Sequence, residues 1–211
     1  MTGTQEAIIA TNLRATGSKG ARTGKHRSWE STAVENGIRI TRVEAEDQLA
    51  RVRELMTEYA DSLDFDLSFQ DFHRELESLP GQYAAPTGLI LLATIGSQPA
   101  GCVALRQLGR GTCEMKRLYV RPGFRGKGIG KALALAILEE ARLLGYSRMR
   151  LDTVPSMAEA IRLYRSLGFR EIPPYRYNPI QGALFMELVL ARHKQPDRAA
   201  TNAESGARQS P

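Results

Sequence analysis

The stretch Arg125-Gly126-Lys127-Gly128-Ile129-Gly130-Lys131 carries three glycines in seven residues, after an apolar strand-like run and before a helical one. Glycine tolerates positive φ and puts no Cβ in the way of a ligand. At a helix start, such a turn gathers unpaired backbone N–H groups at the positive end of the helix, a cradle suited to a pyrophosphate. A purely structural turn can have the same composition, so the turn by itself leaves both readings open. Spacing excludes two other phosphate loops. No GxxxxGK[ST] follows Gly126, and the glycines at 126, 128 and 130 do not form GxGxxG.

The hydrophobic period changes on either side of this turn. Residues 37–43 alternate Ile38, Ile40 and Val43 with polar neighbours, which predicts a first strand. Leu49, Val52, Leu55, Met56 and Tyr59 recur at three and four, predicting a helix over 46–63. Phe69, Phe72, Leu76 and Leu79 predict a second, over 69–79, that Pro80-Gly81 stops. Apolar runs at 88–95 and 100–108, joined through Gly96-Ser97-Gln98-Pro99, read as a hairpin, with a third neighbouring strand at 112–120. A helix over 128–144, a strand over 147–153, a helix over 156–167 closed by Gly168, and strands at 169–172 and 183–190 follow. The order is that of an α/β domain over 37–191, a mixed sheet with helices on both faces.

Charge narrows the function classes. Much of the formal net charge of +6 sits at the two ends, on Arg14, Lys19, Arg22, Lys25 and Arg27 and on Arg192, Lys194, Arg198 and Arg208. The body is left near balance, without the basic stripe and interleaved aromatics of a nucleic-acid face. Residues 1–36 read as a basic, disordered leader, with an organelle transit segment as the alternative, and 192–211 as a disordered tail. No apolar run reaches the roughly 20 residues of a membrane span, so a cytoplasmic chain is expected. Cys102 and Cys113 lack metal-ligand spacing and read as small buried hydrophobes. No metal is expected.

Two motifs in order are more specific than either alone. Arg125, Gly128 and Gly130 match [QR]xxGx[GA]. Downstream, Ala160, Leu163-Tyr164 and Leu167-Gly168-Phe169 match NxxAxxLYxxxGF, with Met157 where the asparagine is usual. In these features the chain over 37–191 resembles the general-control-type N-acetyltransferases, the GNAT superfamily. The resemblance implies a central, mostly antiparallel sheet whose fourth and fifth strands splay apart to admit the pantetheine arm of acetyl-CoA. Backbone groups of Leu118, Tyr119 and Val120 would line that arm. Amides of Gly126, Lys127, Gly128, Ile129, Gly130 and Lys131 would take the pyrophosphate beside Arg125, and Lys127 and Lys131 can add charge or remain solvated. The usual asparagine contact to pantetheine is lost at Met157.

Transfer from a thioester to an amine needs a route for the amine's proton and a donor for the departing thiolate. By the same resemblance Tyr164 stands at the general-acid position. Glu114 lies four residues before Leu118, which by strand alternation puts both on one face, and matches the base glutamate of the histone-acetylating branch. A Glu114 paired to a nearby Lys or Arg such as Lys116, or simply pointing to solvent, is the alternative.

Cues to the acceptor diverge. Asp61, Asp64, Asp66 and Asp71 interleaved with Phe65 and Phe69 suit a cationic amine, whereas Arg106 and Arg117 suit a carboxylate. Tyr175, Tyr177, Asn178 and Pro179 form a polar aromatic loop, and the loops 80–88 and 173–179 are long enough to close the site. The expected activity is N-acetylation of a small-molecule amine or amino acid. A protein lysine or N-terminal acetyltransferase and a catalytically silent acyl-CoA-binding module are the alternatives. Many relatives of this fold pair into homodimers; the sequence leaves that open.

Overall fold

The computed structural model describes residues 37–190. The leader and tail expected at the two ends lie outside the described residues. Seven strands form one sheet in the order β1-β2-β3-β4-β5-β7-β6. They are β1 (Ile38–Arg42), β2 (Leu89–Ile95), β3 (Gln98–Gly109), β4 (Thr112–Val120), β5 (Arg148–Thr153), β6 (Arg170–Ile172) and β7 (Leu184–Val189). The helices are α1 (Glu46–Asp61), α2 (Phe72–Glu77), α3 (Ile129–Leu143) and α4 (Ala158–Ser166). Every pairing is antiparallel except β4 with β5.

Alternation along the strands builds a core on each face. Leu89, Leu91 and Ala93 of β2 meet Leu133, Ile137 and Ala141 of α3, while Ile90 and Leu92 turn to Val52, Leu55 and Met56 of α1. Cys102 and Cys113 are fully buried, one in each core, and burial pushes both thiols up to about 12. They pack as small hydrophobes.

Two departures from the sequence reading matter for the site. The helix expected over 69–79 is a short 3-10 turn, Ser68–Gln70, followed by α2. Asp71 between them is left-handed, at φ 56°, so the chain turns there and presents Phe69 and Gln70 inward. The second departure is in β4. Ala104 pairs with Lys116 and Cys102 with Tyr119, so β4 carries one extra residue. Arg117, at φ 57°, is the kink of this bulge.

The bulge reverses the facing rule downstream. Met115 and Leu118 pack with the α3 core, while Tyr119 joins the α1 core. Glu114, between the inward Cys113 and Met115, therefore lies on the face opposite Leu118. The expectation that the two share a face fails because simple alternation does not survive an inserted residue.

Candidate active site

β4 and β5 pair only over Thr112–Glu114 with Arg148–Arg150. Beyond those three pairs the strands part, although β4 runs on to Val120 and β5 to Thr153. The opening exposes strand backbone that a neighbouring strand would otherwise occupy.

The glycine turn lies at the mouth of this opening. Gly126 and Gly128 are left-handed at φ 76° and 80°, and Gly128 is the residue from which α3 starts. An added Cβ at either would meet no atom of the described residues within 4 Å. Backbone sign, not crowding by protein atoms, is thus what demands glycine there. No side chain among the described residues caps α3 and its first turn holds no acidic residue, so its leading N–H groups face the groove with their positive partial charge. Arg125 Nε donates to the Val120 carbonyl at 3.1 Å and ties the turn to the strand end. Lys127 stacks its ammonium 5.3 Å from the Phe124 ring centre.

From this turn a groove of about 670 Å³ runs along Leu118, Tyr119 and Val120 on one side and Met157, Ala160 and Leu163 on the other. Leu118, Tyr59, Met157 and Ala160 are shared with a small central pocket of about 60 Å³. Tyr164 lines that pocket. Its ring is 8% exposed and packs 5.8 Å from Phe169, and the Gly168 turn closes α4 by a Phe169 N–H bond to the Tyr164 carbonyl at 3.0 Å. Burial, with smaller contributions from Tyr59 and Asp152, pushes the Tyr164 phenol well above its usual value. It remains a donor throughout the neutral range.

Asp152 of β5 stands in the same pocket. Its Oδ2 accepts from Asn178 at 3.0 Å and forms an ion pair with Arg176 Nη2 at 3.2 Å, whereas Oδ1 has Lys116 Nζ at 3.8 Å. Lys116 is 6% exposed and donates to Gln70 Oε1 at 2.8 Å. Burial first, then repulsion from Arg117, lowers its ammonium from the ordinary lysine value to about 7, against the pull of Asp152 and Glu114.

Glu114 is completely buried and its oxygens are occupied. Tyr175 Oη donates to Oε1 at 2.7 Å, Arg176 Nη1 lies 3.3 Å from the same oxygen, and Arg106 Nε donates to Oε2 at 2.6 Å. Tyr175 also sets its ring against Phe185, and burial followed by the Glu114 charge holds its phenol far up.

Of the two arginines expected to meet a carboxylate, Arg117 is already taken. It donates to both oxygens of Glu75 at 2.8 and 2.7 Å and lies over the Phe72 ring. Arg106 does border an open chamber of about 380 Å³, together with Lys116, Arg176 and Tyr177. Phe65 and Phe69 line the central pocket as expected of an aromatic wall, but Asp61 and Asp66 are turned to solvent. Asp64 borders the long groove and Asp71 the open chamber. The 80–88 loop closes neither chamber. It sends Tyr83 into the core and Gln82 to Arg106. His73 is exposed beside Glu77.

Sequence reasoning passed over Asp152, Arg176 and, except as a partner for Glu114, Lys116. A signal existed for the first two, since Asp152 lies next to the end of a strand beside the splay and Arg176 sits inside the singled-out aromatic loop.

Comparison with known proteins agrees with this geometry. Residues 49–169 match the model of the Acetyltransferase (GNAT) family. An uncharacterised N-acetyltransferase of Schizosaccharomyces pombe is 39% identical over 159 residues, covering 74% of this chain and 98% of that one. N-acetylaspartate synthetase of Danio rerio is 37% identical over 110 residues, covering 50% of this chain and 39% of its own. A Salmonella typhimurium acetyltransferase solved with its cofactor acetyl-CoA superposes with a TM-score of 0.55 at 23% identity, over 78% of this chain and all of that one.

Proposed function

Because this chain belongs to the Acetyltransferase (GNAT) family, we propose that it transfers an acetyl group from acetyl-CoA to the primary amine of a small molecule, by direct attack in a ternary complex. One observation carries this reading. The groove between the parted strands connects the bare N-terminus of α3 to the Tyr164 pocket through Leu118, Met157 and Ala160. A diphosphate at the helix start and a thioester beside Tyr164 fit the two ends of that groove. The acetyl-CoA held by the Salmonella structure and the amino-acid product named for the Danio relative support the choice of cofactor and of a small acceptor.

In this reading the turn from Gly126 to Lys131 binds the diphosphate through backbone N–H groups, with Lys127 and Lys131 adding positive charge. Leu118, Tyr119 and Val120 hold the arm. The amine nitrogen forms the new bond to the acetyl carbon as the carbon–sulfur bond breaks, so one proton leaves nitrogen and one is needed at sulfur. Tyr164 supplies a donor to sulfur. Asp152, with Oδ1 free of any hydrogen bond among the described residues, takes the amine's proton. Glu114 acts from behind as a positioning residue for Arg106, Arg176 and Tyr175. A direct base role would first require it to give up one of those donors.

The test is free-thiol release from acetyl-CoA against a panel of amino acids, polyamines and peptides, with the Arg125→Ala, Gly128→Ala double variant as control. We expect turnover of a small amine and an acetyl-CoA Kd about tenfold or more higher in the double variant. Equal acetyl-CoA binding by wild type and double variant would overturn the cofactor assignment, and turnover confined to peptides would transfer the reading to a protein acetyltransferase.

A further inference from the structure

The open chamber continues the central pocket, sharing Phe69, Gln70 and Lys116 with it. Arg106, Lys116, Arg176 and Glu75 line it, with Arg117, Glu114 and Asp152 in ion pairs just behind them, and the charges of this set are unbalanced. Arg106, Lys116, Arg117 and Arg176 face three buried carboxylates, Glu75, Glu114 and Asp152. Glu75 is used by Arg117, and Glu114 and Asp152 are divided between Arg106 and Arg176. Lys116 is left with a neutral amide as its hydrogen-bond partner among the described residues, and with Asp152, already engaged by Arg176, at the longer distance of 3.8 Å. Asp71 also borders the chamber, but its side chain is 72% exposed and adds little to a buried cation.

A second observation points the same way. Arg176 Nε is buried and has no hydrogen-bond partner among the described residues. A buried N–H left unpaired costs roughly 1–3 kcal/mol, so such a group in a native protein calls for an explanation. An incoming anion supplies one.

We infer that the chamber between β4 and the loop preceding β7 is a carboxylate subsite for the acceptor, formed by Lys116 and Arg176 with Arg106 behind them. The inference rests on the acetyl-transfer reading and names the class of acceptor within it, a primary amine bearing a carboxylate a short chain away. Shortness follows from geometry. Lys116 Nζ lies 3.8 Å from Asp152 Oδ1, so the group that binds the acceptor's carboxylate and the group that receives its amine proton are neighbours. A polyamine would bring a second cation against Lys116 and is disfavoured by like charge. Tyr177, 78% exposed at the rim, marks the solvent side.

The experiment compares amino acids with their own carboxamides in the thiol-release assay, for wild type and Lys116→Met. A carboxamide's amine is the weaker base and more of it is neutral near pH 7, so simple reactivity favours the amide. A preference for the acid therefore reports the subsite. We expect kcat/KM to favour the acid by roughly 30-fold or more in wild type, and that ratio to collapse toward unity in Lys116→Met. Equal use of acid and amide, or an unchanged ratio in the variant, overturns the inference. Should no amine release thiol, the transferase reading fails separately. The subsite is then judged by calorimetry of the folded protein with CoA and the N-acetylated amino acids or their amides. Binding of the acids alone sustains it; equal binding, or none, removes it.

Discussion

Arg117, left-handed at φ 57°, donates two hydrogen bonds to Glu75 at 2.8 and 2.7 Å across 42 residues of sequence. This pair holds the bulge of β4 in place. The Tyr83 hydroxyl adds a third bond to Glu75 at 2.7 Å. Burial pushes the Glu75 carboxyl up, yet the Arg117 guanidinium and the Tyr83 hydroxyl outweigh it and leave it below the ordinary value.

Glu75→Ala strands a buried guanidinium, a change that typically costs about 3–5 kcal/mol. Urea unfolding will show a loss of that order. The bulge loosens with it, so acetyl-CoA affinity falls as well.

Lys116 gives a pH signature. Arg117 and Glu114 of β4, Asp152 of β5, Arg176 of the loop before β7, Arg106 of β3 and Glu75 of α2 surround it, with neutral Gln70 as its close partner. Its folded value of about 7 lies below its unfolded one of 10.5. Between the two the unfolded chain binds more protons, so this group makes unfolding free energy rise with pH from about 7 toward 10.5. Below that window the folded protein carries the full penalty of a buried ammonium. Denaturation at pH values inside and below the window will show the slope, and Lys116→Met will flatten it. Affinity for a carboxylate acceptor runs the other way, falling as pH rises above about 7 because the free ammonium is lost.

Tyr164→Phe keeps the ring packed on Phe169 and removes only the phenol hydroxyl, the proposed donor to sulfur. We expect kcat to fall by about 100-fold with acetyl-CoA affinity unchanged. Because burial holds the phenol above its ordinary value, the wild-type profile should show no loss of activity from Tyr164 ionisation on the approach to pH 10. An unaltered kcat in the variant would remove Tyr164 from the reaction.

Glu114→Gln separates the two roles open to that residue. As a positioning group for Arg176, Arg106 and Tyr175, its neutralisation raises KM for the acceptor by about tenfold, with a smaller change in kcat. As the base, it would lower kcat, most severely at low pH, and leave KM alone. Asp152→Asn serves as the companion variant and should lower kcat.

Local features of the chain were enough to read the fold. Period two and period three-to-four apolar spacing placed every strand and three of the four helices within a few residues, because each element had one face to bury. The run ending in Lys131 revealed its left-handed glycines for the same local reason. Other features became visible only in three dimensions. The residue inserted at Arg117 is a matter of pairing between β3 and β4, and it turned Leu118 away from the face of Glu114. The cluster of Glu114 with Tyr175 and Arg176 joins residues 61 and 62 positions apart, and nothing in either segment alone specifies that meeting. Backbone sign and amphipathic period are properties of neighbours along the chain, while charge pairing in a buried site depends on which strands lie side by side. The sequence by itself therefore determined the scaffold and the glycine turn, and tertiary structure decided which cations were spent on internal partners and which were left for the proposed substrate.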